Sequence, residues 1–279
     1  MKKSIFKYPK ILRISIVFCL IISLISLTLL IGCSRNKNSV IIAGSTSVQP
    51  FAEVLAEEYM ILHPGVNIDV QGGGSAAGIM ATKSGTTNIG MSSRSLQGDE
   101  TSLWSVEIAR DGLAVVVNPK NPINSLTIDQ VRDIYSGKTG NWNLLGGKKS
   151  AIDVVTREDG SGTRSSFESL VMGKTEIMAR AMVQDSNGAV RQLVADDPSA
   201  IGFISLGLVD KTVKAVELNG IIPTREHVID GTYNLSRPFL FLSLHEPTGV
   251  AKDFIEFTLS DKGRQILDAQ GLVTMAVNP

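Results

Sequence analysis

The chain has 279 residues, of which 43% are hydrophobic and 19% are charged, and 27 basic residues balance 27 acidic ones. A chain this apolar and without net charge is not expected to be intrinsically disordered. It also lacks the excess of basic residues that nucleic-acid binding requires, so no nucleic-acid partner is expected. Its length fits one or two domains.

The N-terminal segment, residues 1–32, differs in composition from the rest of the chain. Its only charges are basic, and they precede a mainly apolar run at residues 14–31. This order is typical of a signal sequence, although the run also reaches the lower length limit for a transmembrane anchor. Because this segment holds basic charges alone, the chain that follows it carries more acidic than basic residues.

The end of the apolar run favours the signal sequence. It reads Leu30-Ile31-Gly32-Cys33 before a polar stretch, which resembles a bacterial lipobox. The resemblance implies that residues 1–32 are removed as a signal peptide, that Cys33 carries the lipid, and that residues 33–39 form a tether. Lipidation with more than one chain holds a protein at a membrane surface. Cys19 would be lost on processing, so thiolate chemistry is not expected.

Alternating strand and helix patterns begin at Val40. Short runs rich in β-branched residues predict strands, and apolar residues spaced by three or four predict helices. The predicted elements of the first part are a strand at 40–43, a helix with the apolar face Val48, Phe51, Leu55, Tyr59 and Leu62, a strand at 66–70, a helix around 76–82 and a strand at 113–117. Repetition of the strand, glycine loop and helix predicts an α/β architecture with largely parallel sheets.

A second α/β unit follows the Asn118-Pro119 break. Its predicted elements, together with those of the C-terminal part, are a helix at 128–135, strands at 152–156, 201–204 and 240–244, and helices at 165–172, 250–259 and 263–269. We expect the chain to cross between domains at Asn118 and to return near residue 232. The predicted lobes are 40–117 with 232–279, and 118–231.

Three loops follow predicted strands and begin predicted helices. They are Gly44-Ser45-Thr46-Ser47, Gly72-Gly73-Gly74-Ser75, and residues 157–163 (REDGSGT). A helix N-terminus offers free backbone N–H groups and the positive end of the helix dipole, and glycine lets an anion approach closely. Serine and threonine are also ordinary N-caps, so one such loop has a purely structural explanation. Three of them in one chain favour an oxyanion site.

Arg157 adds a full positive charge to the third loop. Its planar guanidinium can hold an oxyanion through two parallel hydrogen bonds. The alternative is an ion pair with Asp159 on the protein surface. Both roles are compatible, because Asp159 could hold Arg157 in place while the guanidinium faces a ligand.

The sequence gives little support for an enzyme. The histidines His63, His227 and His245 have no metal-ligand spacing, and the glycine loops have neither the Walker A lysine nor the G-x-S-x-G pattern of a hydrolase. A serine nucleophile would therefore lack its usual base. We predict no catalytic residue, no metal and no cofactor, and keep a phosphate-ester hydrolase as the least favoured alternative.

Four motifs together resemble the phosphate-binding lipoproteins of bacterial ABC phosphate importers. They are residues 43–50 (AGSTSVQP), 71–75 (QGGGS), 89–94 (IGMSSR) and 157–163 (REDGSGT). The resemblance implies a two-lobed, periplasmic-binding-protein-like fold of type II, with two α/β domains joined by a two-strand hinge. It also implies inorganic phosphate as the ligand, the permease and ATPase subunits of an importer as partners, and a lipid-anchored location on the extracellular face of the cell membrane.

The resemblance assigns phosphate binding to residues of both lobes. These residues are Thr46, Ser47, Ser75, Ser93, Arg157, Ser161, Gly162 and Thr163, with Asp159 as the residue that orients Arg157. Ser93 departs from the family pattern, in which an aspartate accepts the proton of bound phosphate. Serine repels sulfate less than a carboxylate does, so another oxyanion such as sulfate stays an alternative ligand.

Overall fold

The computed structural model describes residues 38–274. The predicted signal peptide, Cys33 and residues 275–279 lie outside the described residues. The strands are β1 (Ser39–Gly44), β2 (Asn67–Gly72), β3 (Ile89–Ser92), β4 (Trp104–Val117), β5 (Ser125–Leu126), β6 (Asp153–Arg157), β7 (Met182–Gln184), β8 (Ala200–Ser205), β9 (Lys214–Ala215), β10 (Glu217–Leu218) and β11 (Ser236–Ser243). The α-helices are α1 (Gln49–Leu62), α2 (Ser75–Lys83), α3 (Ile128–Tyr135), α4 (Gly162–Phe167), α5 (Asn187–Asp196), α6 (Arg225–Ile229), α7 (Gly249–Leu259) and α8 (Asp261–Ala269).

A nine-stranded sheet has the order β2-β1-β3-β11-β4-β8-β6-β7, with β9 also paired to β4. Pairing is parallel at both ends, where β1 lies between β2 and β3, and β6 lies between β8 and β7. In the centre, β11 and β4 are antiparallel to each other and to their outer neighbours. The predicted parallel pairing is therefore correct at the two ends of the sheet and wrong in its centre, where β11 and β4 run in opposite directions.

Among residues 38–274, the two largest hydrophobic cores mark two lobes. Phe51 of α1 and Phe254 of α7 are buried in the first core, together with β1. The second core is built around α3, α4 and β8, and the rings of Phe167 and Phe203 stack there with centroids 4.1 Å apart. Strand β4 contributes to both cores, since Ile108 belongs to the first and Leu113 to the second. Ala114 and Val116 belong to a smaller, separate core. The fold is thus α/β and two-lobed.

Several local features differ from the sequence prediction, of which three concern long elements. Leu62 is 52% exposed and does not complete the buried face of α1. Strand β4 starts at Trp104, well before the predicted residue 113. Its first half was missed in the sequence because charged residues interrupt the apolar pattern there. Helix α5 was not predicted, since its sequence mixes polar and apolar residues without a clear period.

The structure also predicts a stability effect at Gly78, where α2 packs closely on the sheet. A Cβ on Gly78 would lie 2.6 Å from Gly44 Cα and 2.8 Å from the carbonyl oxygen of Met91. Since backbone atoms cannot rotate away, Gly78→Ala is expected to lower the free energy of unfolding by about 1–3 kcal/mol in denaturant titration. Gly188→Ala is the control, because the nearest atom to its new Cβ, Ser186 Oγ, is 3.9 Å away. Equal unfolding midpoints for the two variants would contradict this packing.

Candidate functional site

The first predicted loop connects β1 to the N-terminus of α1. Gly44 has φ of +138°, and an added Cβ would overlap the carbonyl oxygen of Met91, so the position requires glycine. The backbone N–H of Ser45 donates to that carbonyl at 3.0 Å. This tight turn leaves Thr46 half-buried and Ser47 fully buried at the start of the helix.

Ser47 is the meeting point of side chains from distant parts of the chain. Its Oγ lies 2.6 Å from Oγ1 of Thr163, at the N-terminus of α4. It also accepts hydrogen bonds from Nδ2 of Asn187 at 2.8 Å and from Nη2 of Arg237 at 3.2 Å. The structure therefore brings together the predicted residues Ser47 and Thr163, and it adds Asn187 and Arg237, which the sequence did not indicate.

Arg157 is 1% exposed at the end of β6, which rules out the predicted alternative of a surface ion pair. Its Nη2 donates to Thr46 Oγ1 at 3.1 Å, and its Nε and Nη2 donate to the carboxylate of Glu158 at 2.9 and 2.8 Å. The carbonyls of Gln184 and Asp185 accept further bonds at 3.1 and 3.0 Å. Nη1 is buried and has no hydrogen-bond partner among residues 38–274.

The structure corrects the carboxylate that was assigned to Arg157. Asp159, the predicted orienting residue, has a side chain that is 91% exposed and pairs with Arg164. Glu158 holds Arg157 instead, through both carboxylate oxygens. The reason is local: Glu158 directly follows the end of β6, whereas Asp159 lies in the turn beyond it.

Ser75 and Ser93 pack against the start of α4. The backbone N–H of Ser93 donates to Ser75 Oγ at 3.1 Å, and the two hydroxyl oxygens are 3.3 Å apart. A Cβ on Gly162 would overlap Ser75 Oγ and lie 2.6 Å from Ser93 Oγ. Ser161 caps α4, since its Oγ accepts from the backbone N–H of Arg164 at 3.2 Å. The second and third predicted loops are therefore in direct contact.

A second buried arginine, Arg237, lies on β11 opposite Asp111 of β4. Its Nε and Nη2 donate to Asp111 Oδ2 at 3.2 and 3.0 Å, and Ser205 donates to the other carboxylate oxygen at 2.8 Å. Burial raises the pKa of Asp111, an effect that Arg237 and Ser205 oppose. In the sequence, Arg237 could have been noticed as a charged residue at the start of an apolar strand. A charged residue in such a strand is buried only when it is paired, so it would have indicated a buried partner.

The gathered groups are mainly hydrogen-bond donors. Each buried arginine is paired with one carboxylate, and each keeps one buried Nη1 without a partner in the described part of the chain. Hydroxyl groups and the N-termini of α1, α2, α4 and α5 complete the set. Such an arrangement suits an anion with several acceptor oxygens. Within residues 38–274 there is no group of three or more His, Cys, Asp or Glu residues that could hold a metal ion.

The two-lobed α/β fold and its converging donors agree with a family match: the model of the PBP superfamily domain matches residues 33–262. The phosphate-binding protein PstS of Bacillus subtilis is 33% identical over 87% of this chain and 82% of its own length. PstS of Borreliella burgdorferi is 27% identical over 91% of this chain and 97% of its own. The chain belongs to the PstS family of phosphate-binding proteins.

Solved structures agree with this membership. A substrate-binding protein from Clostridium perfringens, crystallised with bound phosphate, has a TM-score of 0.83 and 42% identity, covering 86% of this chain and all of that one. An ABC-type phosphate transport receptor from Vibrio cholerae has a TM-score of 0.71 and 41% identity, covering 85% of this chain and all of that one. The predicted family and fold class are confirmed.

Proposed function

We propose that this chain captures inorganic phosphate and delivers it to an ABC importer. The observation that carries the proposal is the convergence of Ser47 and Arg157, from opposite ends of the sheet, with Thr163 of α4. Relatives that are named for phosphate binding, and one related structure with phosphate bound, support this choice of ligand. The family consists of substrate-binding proteins, so the chain is not an enzyme.

The phosphate would lie where these groups now hydrogen-bond to one another. Thr46 and Ser47 would donate from the loop before α1, Ser75 from α2, and Thr163 with the backbone N–H of Gly162 from the start of α4 in the other lobe. Ser161 would support the site as the N-cap of α4, since its own N–H donates to the carbonyl oxygen of Glu158 at 3.0 Å. Arg157 would add its free Nη1, and Ser93 its hydroxyl. Each hydrogen bond between protein groups that opens would be exchanged for one to a phosphate oxygen, so no buried donor would lose its partner.

We place the hinge on the two central strands, β4 and β11. On β4, Ala109 belongs to the first core and Leu113 to the second. On β11, Phe239 belongs to the first core, whereas Leu235, the residue before the strand, belongs to the second. This moves the proposed crossing points from residues 117 and 232 to residues 109–113 and 235–239, at the end of the ladder where Gly112 pairs with Ser236. Donors on both lobes reach one small anion only when the lobes close, so phosphate should favour the closed state.

We also propose that Cys33 carries a lipid that holds the protein on the extracellular face of the membrane, within reach of a permease and its ATPase. The lipobox-like sequence supports this anchor, and Cys33 lies outside the described residues. Across residues 38–274, no helix has the length and apolar character to cross a membrane.

Equilibrium binding of labelled phosphate to residues 34–279, with sulfate as competitor, tests the function. We expect saturable phosphate binding that excess sulfate displaces poorly. Equal affinity for the two anions would contradict the choice of phosphate, and binding of neither would contradict the function altogether. Turnover of a chromogenic phosphoester by the same sample would instead support the hydrolase alternative, and we expect none.

A further inference from the structure

Arg237 is the second residue of β11, near one end of the ladder that β11 forms with β4, the strand pair on which we place the hinge. It is directly opposite Asp111 in the register of β11 and β4, and both side chains are at most 2% exposed. Its guanidinium extends to Ser47 Oγ, the meeting point of the predicted site, at 3.2 Å from Nη2. The neighbouring Nη1 is buried without a partner among the residues described.

Arg237 belongs to a closed ring of hydrogen bonds that includes residues of both lobes. Beyond its bonds to Ser47 and Asp111, the ring continues from Asp111 to the hydroxyl of Ser205, and from the backbone N–H of Ser205 to Oδ1 of Asn187 at 3.1 Å. Asn187 closes it by donating to Ser47. Because every member holds the next, the guanidinium of Arg237 is fixed in position beside Ser47.

The two buried arginines are also close enough to affect each other. Burial lowers the pKa of Arg237, and the positive charge of Arg157 lowers it further, whereas Asp111 acts in the opposite direction. Like charges in a buried region favour an anion between them. Arg157 and Arg237 approach the same serine and threonine pair at the start of α1, since one bonds to Thr46 and the other to Ser47.

We infer that Arg237 is a second phosphate-binding arginine, contributed by the hinge strand β11, with Asp111 and Ser205 as its positioning residues. This inference rests on the proposed function and extends it. Phosphate would bind Nη1 of Arg237 as well as Nη1 of Arg157, so it would contact both lobes and the strand that connects them. Occupancy of the site would thereby act directly on the hinge.

The test compares phosphate affinity in variants that keep the local charge balanced. Arg237→Gln combined with Asp111→Asn removes both charges together, so neither is left buried without its counter-charge, and the two amides can still hydrogen-bond to each other. We expect this double variant to unfold near the parent's midpoint and to bind phosphate at least about tenfold more weakly in calorimetric titration. Arg237→Lys keeps the charge pair and should still lose several-fold in affinity, because an ammonium lacks the two-pronged geometry.

Arg110→Gln is the matched control, since Arg110 lies next to Asp111 on β4 but pairs with Glu107 and is 41% exposed. It should bind phosphate like the parent. Parent-like affinity in the folded double variant would overturn the inference and leave a purely structural role for Arg237. If the double variant does not fold, unchanged affinity in Arg237→Lys overturns it equally. Failure of the parent itself to bind phosphate would instead contradict the proposed function.

Discussion

Arg157→Ala is expected to weaken phosphate binding at least about tenfold, which corresponds to about 1.4 kcal/mol. The guanidinium is buried, and its Nη1 has no partner within the described part of the chain, so it is available to a phosphate oxygen. Hydrogen bonds to charged groups contribute about 1.5–3 kcal/mol each, roughly twice the value for neutral pairs. Arg157→Lys should recover only part of the loss, because a single ammonium cannot replace the planar donor set. Calorimetric titration with phosphate measures both variants.

Arg94→Ala is the control for this experiment. Arg94 is close in sequence to Ser93, but its guanidinium is occupied by Glu100 in two hydrogen bonds of 2.7 and 2.8 Å. The control should bind phosphate like the parent. Glu158 is 31% exposed, so water can solvate its carboxylate when Arg157 is removed, and the Arg157→Ala variant should fold. Parent-like binding by Arg157→Ala, with loss in Arg94→Ala, would show that the wrong arginine had been assigned.

Gly162→Ala is expected to cause a comparable loss by preventing lobe closure. The new methyl group would overlap Ser75 Oγ and crowd Ser93 Oγ, and both serines belong to the opposite side of the cleft. Overpacking of this kind costs about 1–3 kcal/mol, and the lobes can avoid it by staying apart. We therefore expect phosphate affinity to fall about tenfold or more. Small-angle X-ray scattering should show the radius of gyration decreasing with phosphate in the parent and not in the variant.

Gly160→Ala provides a matched glycine in the same loop. Its added Cβ would lie 3.5 Å from the Cβ of Ala76, an ordinary van der Waals contact, so closure should be unaffected. This control should bind phosphate like the parent. If Gly162→Ala also binds and compacts like the parent, the close approach of α4 to Ser75 and Ser93 is not required for binding.

The parts of the site on helix N-termini could be predicted from the sequence because their pattern is local. A strand-like run, glycines and hydroxyl residues before a helix marked Ser47, Ser75 and Thr163 at three separate places. The choice between Glu158 and Asp159 as partner of Arg157 was not predictable, because both carboxylates are adjacent in sequence. Which of the two carboxylates contacts Arg157 depends on the path of the chain beyond β6, and this path brings Glu158 to Arg157 and Asp159 to Arg164.

Arg237 and Asp111 were missed for a different reason. Neither is in a glycine loop, and each has its role only because β4 and β11 pair across more than 100 residues of sequence. Periodicity describes the faces of one strand and contains no information about which distant strand lies beside it. The same pairing explains the antiparallel centre of the sheet, while the repeated strand and helix units predicted its parallel ends correctly.

A crystal structure of residues 34–279 with bound phosphate would show whether both lobes hold the anion. We expect one phosphate between the lobes, with its oxygens within hydrogen-bond distance of Ser47, of Thr163 and of Nη1 of Arg157. A phosphate held by one lobe alone, or bound at the surface away from these residues, would contradict this expectation.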